Sequence, residues 1–230
     1  MTKRVGILHT SLVFINRETM LRDLLDEALG DDVELVDFID SEVLASVMRA
    51  GAVTDASVER MRHLAEAAVA ADVDVIFSAC SSLGPAMDRF RDDLPIPLVK
   101  IDEAMARTAA GSARDIGVLA TVPTTLGPTS DLIRQAAEAL GRDVQVHEQL
   151  CEGAFELLMA GATSDHDERV VATAATLAEQ VEIVVLAQAS MTRLAPRIEE
   201  GIGLPVLSSP RLGVEDLARV LTETTTPAPA

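Results

Sequence analysis

A cysteine followed by two serines is the most chemically suggestive stretch of the chain. Cys80, Ser81 and Ser82 come after an apolar run, residues 73–79, which is too short for a helix and too apolar for a half-exposed strand. We therefore predict a strand buried on both faces with Cys80 at its carboxyl end, where parallel α/β sheets bind ligands. Both serines suit the N-cap of a helix over residues 84–90, whose positive end favours a thiolate. The competing interpretation is a buried structural cysteine.

Other polar side chains follow the remaining predicted strands. After the first strand come His9, Thr10 and Ser11. Histidine is the residue type suited to proton transfer at physiological pH, so His9 is a candidate to supply a second proton. A hydroxyl-rich loop before a later helix suits a carboxylate or phosphate and contains Thr121, Thr124 and Thr125. A further strand end carries Gln188, Ala189 and Ser190. For each of these sets the alternative is a structural role, as a helix cap, a hydroxyl turn or a hydrogen-bonded strand-end histidine.

Several remaining polar residues have plainer interpretations. Lys100 follows a predicted strand, where a salt bridge between two lobes or the steering of an acidic substrate would explain it. His147 and His166 are expected on the solvated surface.

The elements that position these residues occur twice along the chain. The first series has strands over residues 4–8, 33–39, 73–79 and 95–101, and helices over residues 17–29, 41–50, 54–71 and 84–90. Its first two strands match residues 115–120 and 144–148 at an offset of 111, and its last two match segments from 181 and 204 at an offset of 108. In the second series, helices are expected over residues 128–140, with Pro128 in the first turn, and 165–179, capped by Ser164 or Asp165. A final helix is expected over residues 214–221.

Four matched segments in the same order indicate an internal duplication. The predicted fold class is α/β, with two Rossmann-like, doubly wound parallel-sheet lobes related by pseudo-two-fold symmetry. The first lobe is predicted to comprise residues 1–101 plus 212–230, and the second residues 102–211. The site is expected in the cleft between the lobes.

The amino-acid composition argues against several classes of function. A formal net charge of −18 argues against binding to phosphate backbones and to anionic membrane surfaces. The chain has no tryptophan or tyrosine to stack on bases, and no apolar stretch long enough to cross a bilayer. Its two cysteines, Cys80 and Cys151, have no metal-ligand spacing, which favours a reduced cytoplasm over a disulfide framework. We therefore expect a cytoplasmic protein that handles a small molecule.

Three segments and the duplicated lobes resemble the aspartate/glutamate/hydantoin racemase superfamily. The segments are FSACSSLG, VLATVPTTL and VVLAQASM, and the repeat extends the resemblance over nearly the whole chain. The resemblance implies that no cofactor is used and that backbone N–H groups and small hydroxyl side chains hold the substrate carboxylate. It also implies two facing cysteines as acid and base, the first of which matches Cys80. The segment VVLAQASM places Gln188 at the second cysteine, and an amide cannot transfer a proton at neutral pH.

The resemblance therefore implies a racemase or epimerase acting at a carbon α to the carboxylate of a small acid, with Cys80 as acid/base. Three alternatives stay open: a single-thiol decarboxylase, a cis/trans isomerase with a cysteine nucleophile, and a non-catalytic protein that binds small acids. Cys151 is not expected to replace the second thiol, because the repeat places it near Ser41 and away from the thiol position. A homodimer would agree with the resemblance.

Overall fold

Two four-stranded parallel sheets form the framework of the described chain. The structure is a computed structural model that describes residues 2–12 and 19–224. The strands are β1 (Lys3–His9), β2 (Val33–Ile39), β3 (Val75–Ser78), β4 (Leu98–Lys100), β5 (Asp115–Ala120), β6 (Gln145–Leu150), β7 (Ile183–Leu186) and β8 (Val206–Ser208). The first sheet has the order β2-β1-β3-β4 and the second the order β6-β5-β7-β8. This topology confirms the predicted duplicated α/β fold.

The two sheets share one register. In the first sheet Val5 of β1 pairs with Val75 of β3, and in the second Ile116 of β5 pairs with Ile183 of β7. Val5 and Ile116 are 111 positions apart, and Val75 and Ile183 are 108 apart, the offsets of the sequence repeat. The duplication therefore extends to individual backbone partners.

Burial explains why these segments are strands. All four residues of β3 and all four of β7 are buried, as expected of central strands that are covered on both faces. The edge strand β2 alternates between half-buried and exposed residues over most of its length.

Helices flank both sheets. They are α1 (Met20–Leu29), α2 (Val43–Ala50), α3 (Asp55–Ala70), α4 (Gly84–Asp88), α5 (Glu103–Ser112), α6 (Pro123–Ala139), α7 (Ala154–Met159), α8 (Thr163–Ala178), α9 (Ala195–Ile202) and α10 (Ser209–Glu223). Short 3₁₀ helices cover Ser81–Leu83, Arg91–Asp93 and Ala189–Leu194. Every helix in the described ranges is too short or too polar to cross a membrane.

The start of α3 and the end of α2 follow local sequence signals. Thr54 Oγ1 accepts a hydrogen bond from the Ser57 N–H, and Ser57 Oγ accepts one from the Thr54 N–H. This reciprocal capping box fixes the start of α3. Gly51 ends α2 at φ 72°, a left-handed conformation that glycine adopts without strain.

Other helix boundaries differ from the sequence prediction. α6 begins at Pro123, so Pro128 lies inside the helix, where it removes one backbone hydrogen bond. α8 begins at Thr163, which places Ser164 and Asp165 in its first turn, and the N-cap is an alanine. The predicted start of the first helix, at residue 17, lies outside the described residues.

The chain divides into two compact units. The first unit contains the described residues up to Ile101 and from Pro210 onward, and the second unit is Asp102–Ser209. Helix α10 begins five residues earlier than predicted and packs its buried Val214, Leu217 and Leu221 into the core of the first unit. At Gly213 a Cβ would lie 2.3 Å from the Ile101 carbonyl oxygen, so only glycine permits this close approach.

Candidate functional site

Cys80 lies two residues beyond the end of β3, at the carboxyl edge of the first sheet. Its backbone is extended, and it is the N-cap residue of the 3₁₀ helix Ser81–Leu83. The predicted helix over residues 84–90 is therefore preceded by a 3₁₀ turn, and α4 is only five residues long. Ser81 and Ser82 lie inside that turn, so the prediction that they cap the helix is wrong. We call residues 80–83 the first corner.

Thr10 lies at the adjacent strand end. The last pair in the register of β1 and β3 joins Leu8 to Ser78, and Thr10 and Cys80 are each two residues further along the chain. Thr10 is buried, whereas Ser11 and Cys80 are half-buried. Adjacent strand ends of this sheet thus carry a hydroxyl group and a thiol.

His9 belongs to the opposite face of the sheet. Cys80 packs against the hydrophobic cluster that contains Leu8 and Ile76, while His9 lines a cavity with Ile7 and Leu21 on the α1 side. Side chains alternate between faces along a strand, which separates these two residues. The structure therefore does not bring His9 to the Cys80 thiol.

A charged network holds the His9 ring in place. Its Nε2 lies 2.9 Å from Asp37 Oδ1, and the same carboxylate accepts a hydrogen bond from Arg22. The ring is 95% buried, and its Nδ1 has no partner within the described ranges. The adjoining cavity has a volume of about 150 Å³.

Lys100 forms an ion pair within the first unit. Its buried Nζ lies 2.7 and 2.8 Å from the two carboxylate oxygens of Asp88, in α4 of the same unit. The ion pair ties β4 to the helix that follows the first corner.

The second unit repeats the corner with an amide in place of the thiol. Gln188 follows β7 and is the N-cap residue of the 3₁₀ helix Ala189–Leu194, with extended φ and ψ close to those of Cys80. Its Oε1 accepts hydrogen bonds from the Thr121 N–H, at 2.6 Å, and from the Thr121 hydroxyl, at 3.0 Å. We call residues 188–194 the second corner.

The remaining predicted residues of the second unit lie at the same sheet edge. Thr124 and Thr125 occupy the first turn of α6, and the hydroxyl of Thr124 is buried without a partner among the residues described. Ala189 and Ser190 begin the 3₁₀ helix of the second corner. The hydroxyl-rich loop and the second corner thus meet at the ends of β5 and β7.

Cys151 lies elsewhere. It follows β6, its backbone N–H bonds to the Ala120 carbonyl, and its Sγ lies 3.2 Å from Thr173 Oγ1. The equivalent backbone bond in the first unit joins the Asp40 N–H to the His9 carbonyl. Cys151 is only 1% exposed and therefore belongs to the core.

The two histidines expected at the surface differ. His147 is half-buried, and its Nε2 lies 3.0 Å from Asp115 Oδ1. His166 is completely buried, so the prediction that it is solvated is wrong. Its position could have been detected, because it extends the helical spacing of the apolar residues Val170 and Ala174 in α8.

The described residues contain no cluster of side chains suited to binding a metal ion. Within residues 2–12 and 19–224, no group of three His, Cys, Asp or Glu side chains could hold a metal ion.

Comparison with known proteins identifies the family. The profile of the Asp/Glu/Hydantoin racemase family matches residues 18–217. The chain belongs to this racemase family. Racemases are isomerases, so membership supports an isomerase-like enzyme here. No curated protein matches the chain in sequence.

Solved racemases share the fold. A glutamate racemase from Francisella tularensis, solved with D-glutamate, has a TM-score of 0.73 at 15% identity, covering 99% of this chain and 86% of that one. An aspartate racemase from Picrophilus torridus has a TM-score of 0.68 at 15% identity, with coverages of 96% and 94%. For an allantoin racemase from Klebsiella pneumoniae the TM-score is 0.62 at 18% identity, with coverages of 96% and 88%. At these identities the likeness is one of fold.

Proposed function

We propose that this protein is a cofactor-independent isomerase that moves a proton at a carbon α to the carboxylate of a small acid, with Cys80 as the acid/base. The observation that carries the proposal is the half-buried thiol of Cys80 at the carboxyl edge of the first sheet, beside the strand end that carries Thr10. Membership of a racemase family supports this reaction class.

In the proposed reaction the Cys80 thiolate removes the α-proton. The electron pair of the C–H bond moves into the carboxylate and forms an enediolate-like intermediate, and proton return to the same carbon completes the cycle. Hydroxyl and backbone N–H groups stabilise the negative charge on the oxygens as it develops. The candidates are Thr10, Ser11, Ser81 and Ser82 in the first unit and Thr121, Thr124, Thr125, Gln188, Ala189 and Ser190 in the second.

One observation favours a second candidate, a reaction that needs a single base. Gln188 occupies the position in the second unit that Cys80 occupies in the first, and the resemblance places the second family cysteine there. Its amide is hydrogen-bonded to Thr121 and does not titrate at neutral pH. A decarboxylase needs a proton donor on one face only, so one thiol suffices. A cis/trans isomerase with Cys80 as nucleophile, and a non-catalytic protein that binds small acids, are the further alternatives.

Proton NMR in deuterated water tests these alternatives directly. The protein is incubated with pools of small amino, hydroxy, keto and malonate-type acids, beside the variants Cys80→Ser and Cys151→Ser. Exchange of an α-proton together with inversion supports the isomerase, and loss of a carboxylate with uptake of one deuteron supports the decarboxylase.

The cysteine variants assign the chemistry to one thiol. We expect Cys80→Ser to abolish turnover and Cys151→Ser to retain it, because the core serine can still bond to Thr173. Turnover that survives Cys80→Ser would refute the proposed role, and ligand binding without turnover would favour a binding protein.

A further inference from the structure

A buried histidine lies on the core-facing side of α8. The buried residues of this helix are His166, Val170, Ala174 and Leu177, a spacing that also occurs in α3 of the first unit. His166 is 0% exposed, and its Nδ1 lies 2.7 Å from Asp167 Oδ1. Its Nε2 is buried and has no partner in the part of the chain that the structure describes. Such a group lowers stability, so its presence calls for an explanation.

The histidine lies at the level of the second corner. A Cβ on Gly117 of β5 would be 2.8 Å from Leu177, which places the end of α8 beside the start of that strand. His166 is eleven residues earlier, or about 16 Å along the helix axis. Gly117 and Thr121 are separated by about 13 Å along an extended strand. His166 is therefore close to the height at which Thr121 meets Gln188.

Asp167 connects this histidine to the second corner. The two terminal nitrogens of Arg193, Nη1 and Nη2, each donate a hydrogen bond to the Asp167 carboxylate at 2.5 Å. This bidentate arrangement fixes the orientation of the two groups as well as their distance. Arg193 belongs to the 3₁₀ helix that starts beyond Gln188. The guanidinium holds the pKa of the Asp167 carboxyl below its usual value, and the hydrogen bond from His166 acts in the same direction.

We infer that His166, Asp167 and Arg193 are positioning residues that hold the second corner, and with it Gln188, in the arrangement required by the proposed reaction. The imidazole fixes the carboxylate, the carboxylate fixes Arg193, and Arg193 restrains the 3₁₀ helix. Gln188 then keeps its oxygen on Thr121. The restraint of the second corner does not depend on the proposed function. Only its importance for catalysis rests on that function.

A pair of arginine variants tests the inference. Arg193→Ala removes the bidentate ion pair between the second corner and Asp167 of α8, whereas Arg197→Ala removes a single bond between α9 and α8, in which Arg197 Nη2 lies 2.6 Å from Glu168. The two arginine side chains are 44% and 48% exposed, but Asp167 is 15% exposed and Glu168 is 65% exposed. The urea midpoint of each variant is therefore measured as well, which separates a local change at Thr121 from a general loss of stability. Hydrogen exchange of the Thr121 N–H, followed by NMR, reports the bond to Gln188 without any substrate.

We expect Arg193→Ala to accelerate exchange of the Thr121 N–H about threefold to fivefold, as loss of one ion pair implies. Arg197→Ala should leave this rate unchanged, and Arg193→Lys should restore part of the protection. Equal Thr121 exchange in the two alanine variants would overturn the inference. Where a reacting acid is found, an unchanged kcat in Arg193→Ala would overturn it as well. Absence of turnover in the unmodified protein would count against the proposed function alone, because the exchange comparison needs no substrate.

Discussion

Cys80 and Gln188 occupy the same backbone position in the two units. Each follows the central strand of its sheet, has an extended backbone and is the N-cap residue of a 3₁₀ helix. The repeat places them 108 positions apart, the offset that also relates Val75 to Ile183. One side chain can exchange a proton at neutral pH and the other cannot.

This relationship predicts the effect of restoring a thiol. Gln188→Cys should raise the ratio of inversion to α-proton exchange, because a second acid/base group becomes available in the second unit. Gln188→Ser is the matched control, since it also removes the amide but introduces no group that titrates near neutrality. Chiral chromatography gives inversion, and NMR in deuterated water gives exchange. Equal ratios in the two variants would argue against a second proton-transfer position at residue 188.

The two thiols should differ in reactivity. Cys80 is half-buried at a sheet edge, whereas Cys151 is 1% exposed in a hydrophobic core. Iodoacetamide should therefore label the folded protein once, at Cys80, and label Cys151 only after unfolding in urea. Peptide mass spectrometry identifies the modified residue. Substantial labelling of Cys151 in the folded protein would contradict the core position.

Acid should weaken the fold partly through Asp40. The Arg60 guanidinium bonds to this carboxylate and lowers its pKa, and the Glu42 and Val43 N–H groups act in the same direction. Because the pKa of Asp40 is lower in the folded protein than in the unfolded chain, the ion pair stabilises the fold at pH values above the unfolded pKa of about 3.9. This stabilisation is lost as the pH falls through the lower pKa of the folded state. Asp40→Asn should therefore reduce the urea midpoint at pH 6 and have a smaller effect near pH 2.

An exposed carboxylate provides the control for this pH dependence. Asp92 lies in the 3₁₀ helix Arg91–Asp93 and has no partner within the described ranges. Asp92→Asn should lower the urea midpoint far less at pH 6. If the effect of Asp40→Asn were the same at both pH values, the ion pair with Arg60 would not contribute to acid stability.

Two helical glycines should respond to alanine with opposite signs. A Cβ at Gly213 would lie 2.3 Å from the Ile101 carbonyl oxygen, so Gly213→Ala should destabilise the protein by about 1–3 kcal/mol. Gly201 in α9 has open space around its Cα, so Gly201→Ala should stabilise by about 0.5–1 kcal/mol. Urea unfolding measures both. Stabilisation by Gly213→Ala would show that α10 does not approach the strand end this closely.

The strands and their duplication could be predicted because their signals are local and repeated. The buried run from Val75 and its counterpart from Ile183 are recognisable as apolar segments, and the constant offset relates them. The start of α3 was equally accessible, since Thr54 and Ser57 form a capping box within four residues. Cys80 and Gln188 could be placed at strand ends for the same reason.

Features that depend on tertiary packing could not be predicted in this way. Lys100 forms an ion pair with Asp88, twelve residues earlier in the chain. No sequence rule selects that carboxylate over its neighbours. His9 faces the α1 side because of strand alternation, but only the structure shows that Asp37 holds it there. The burial of His166 follows from the spacing of the buried residues of α8, but only the structure shows that Arg193 bonds to the neighbouring Asp167.

The close contact between Gly213 and Ile101 has a consequence for synthesis of the protein. Residues 102–209 form one continuous unit, whereas the core of the first unit includes Val214, Leu217 and Leu221. A ribosome releases the whole of the second unit before it releases α10. The first unit therefore cannot complete its hydrophobic core until the second unit has been synthesised. The second unit can fold first, although domains usually fold in order from the N-terminus during synthesis.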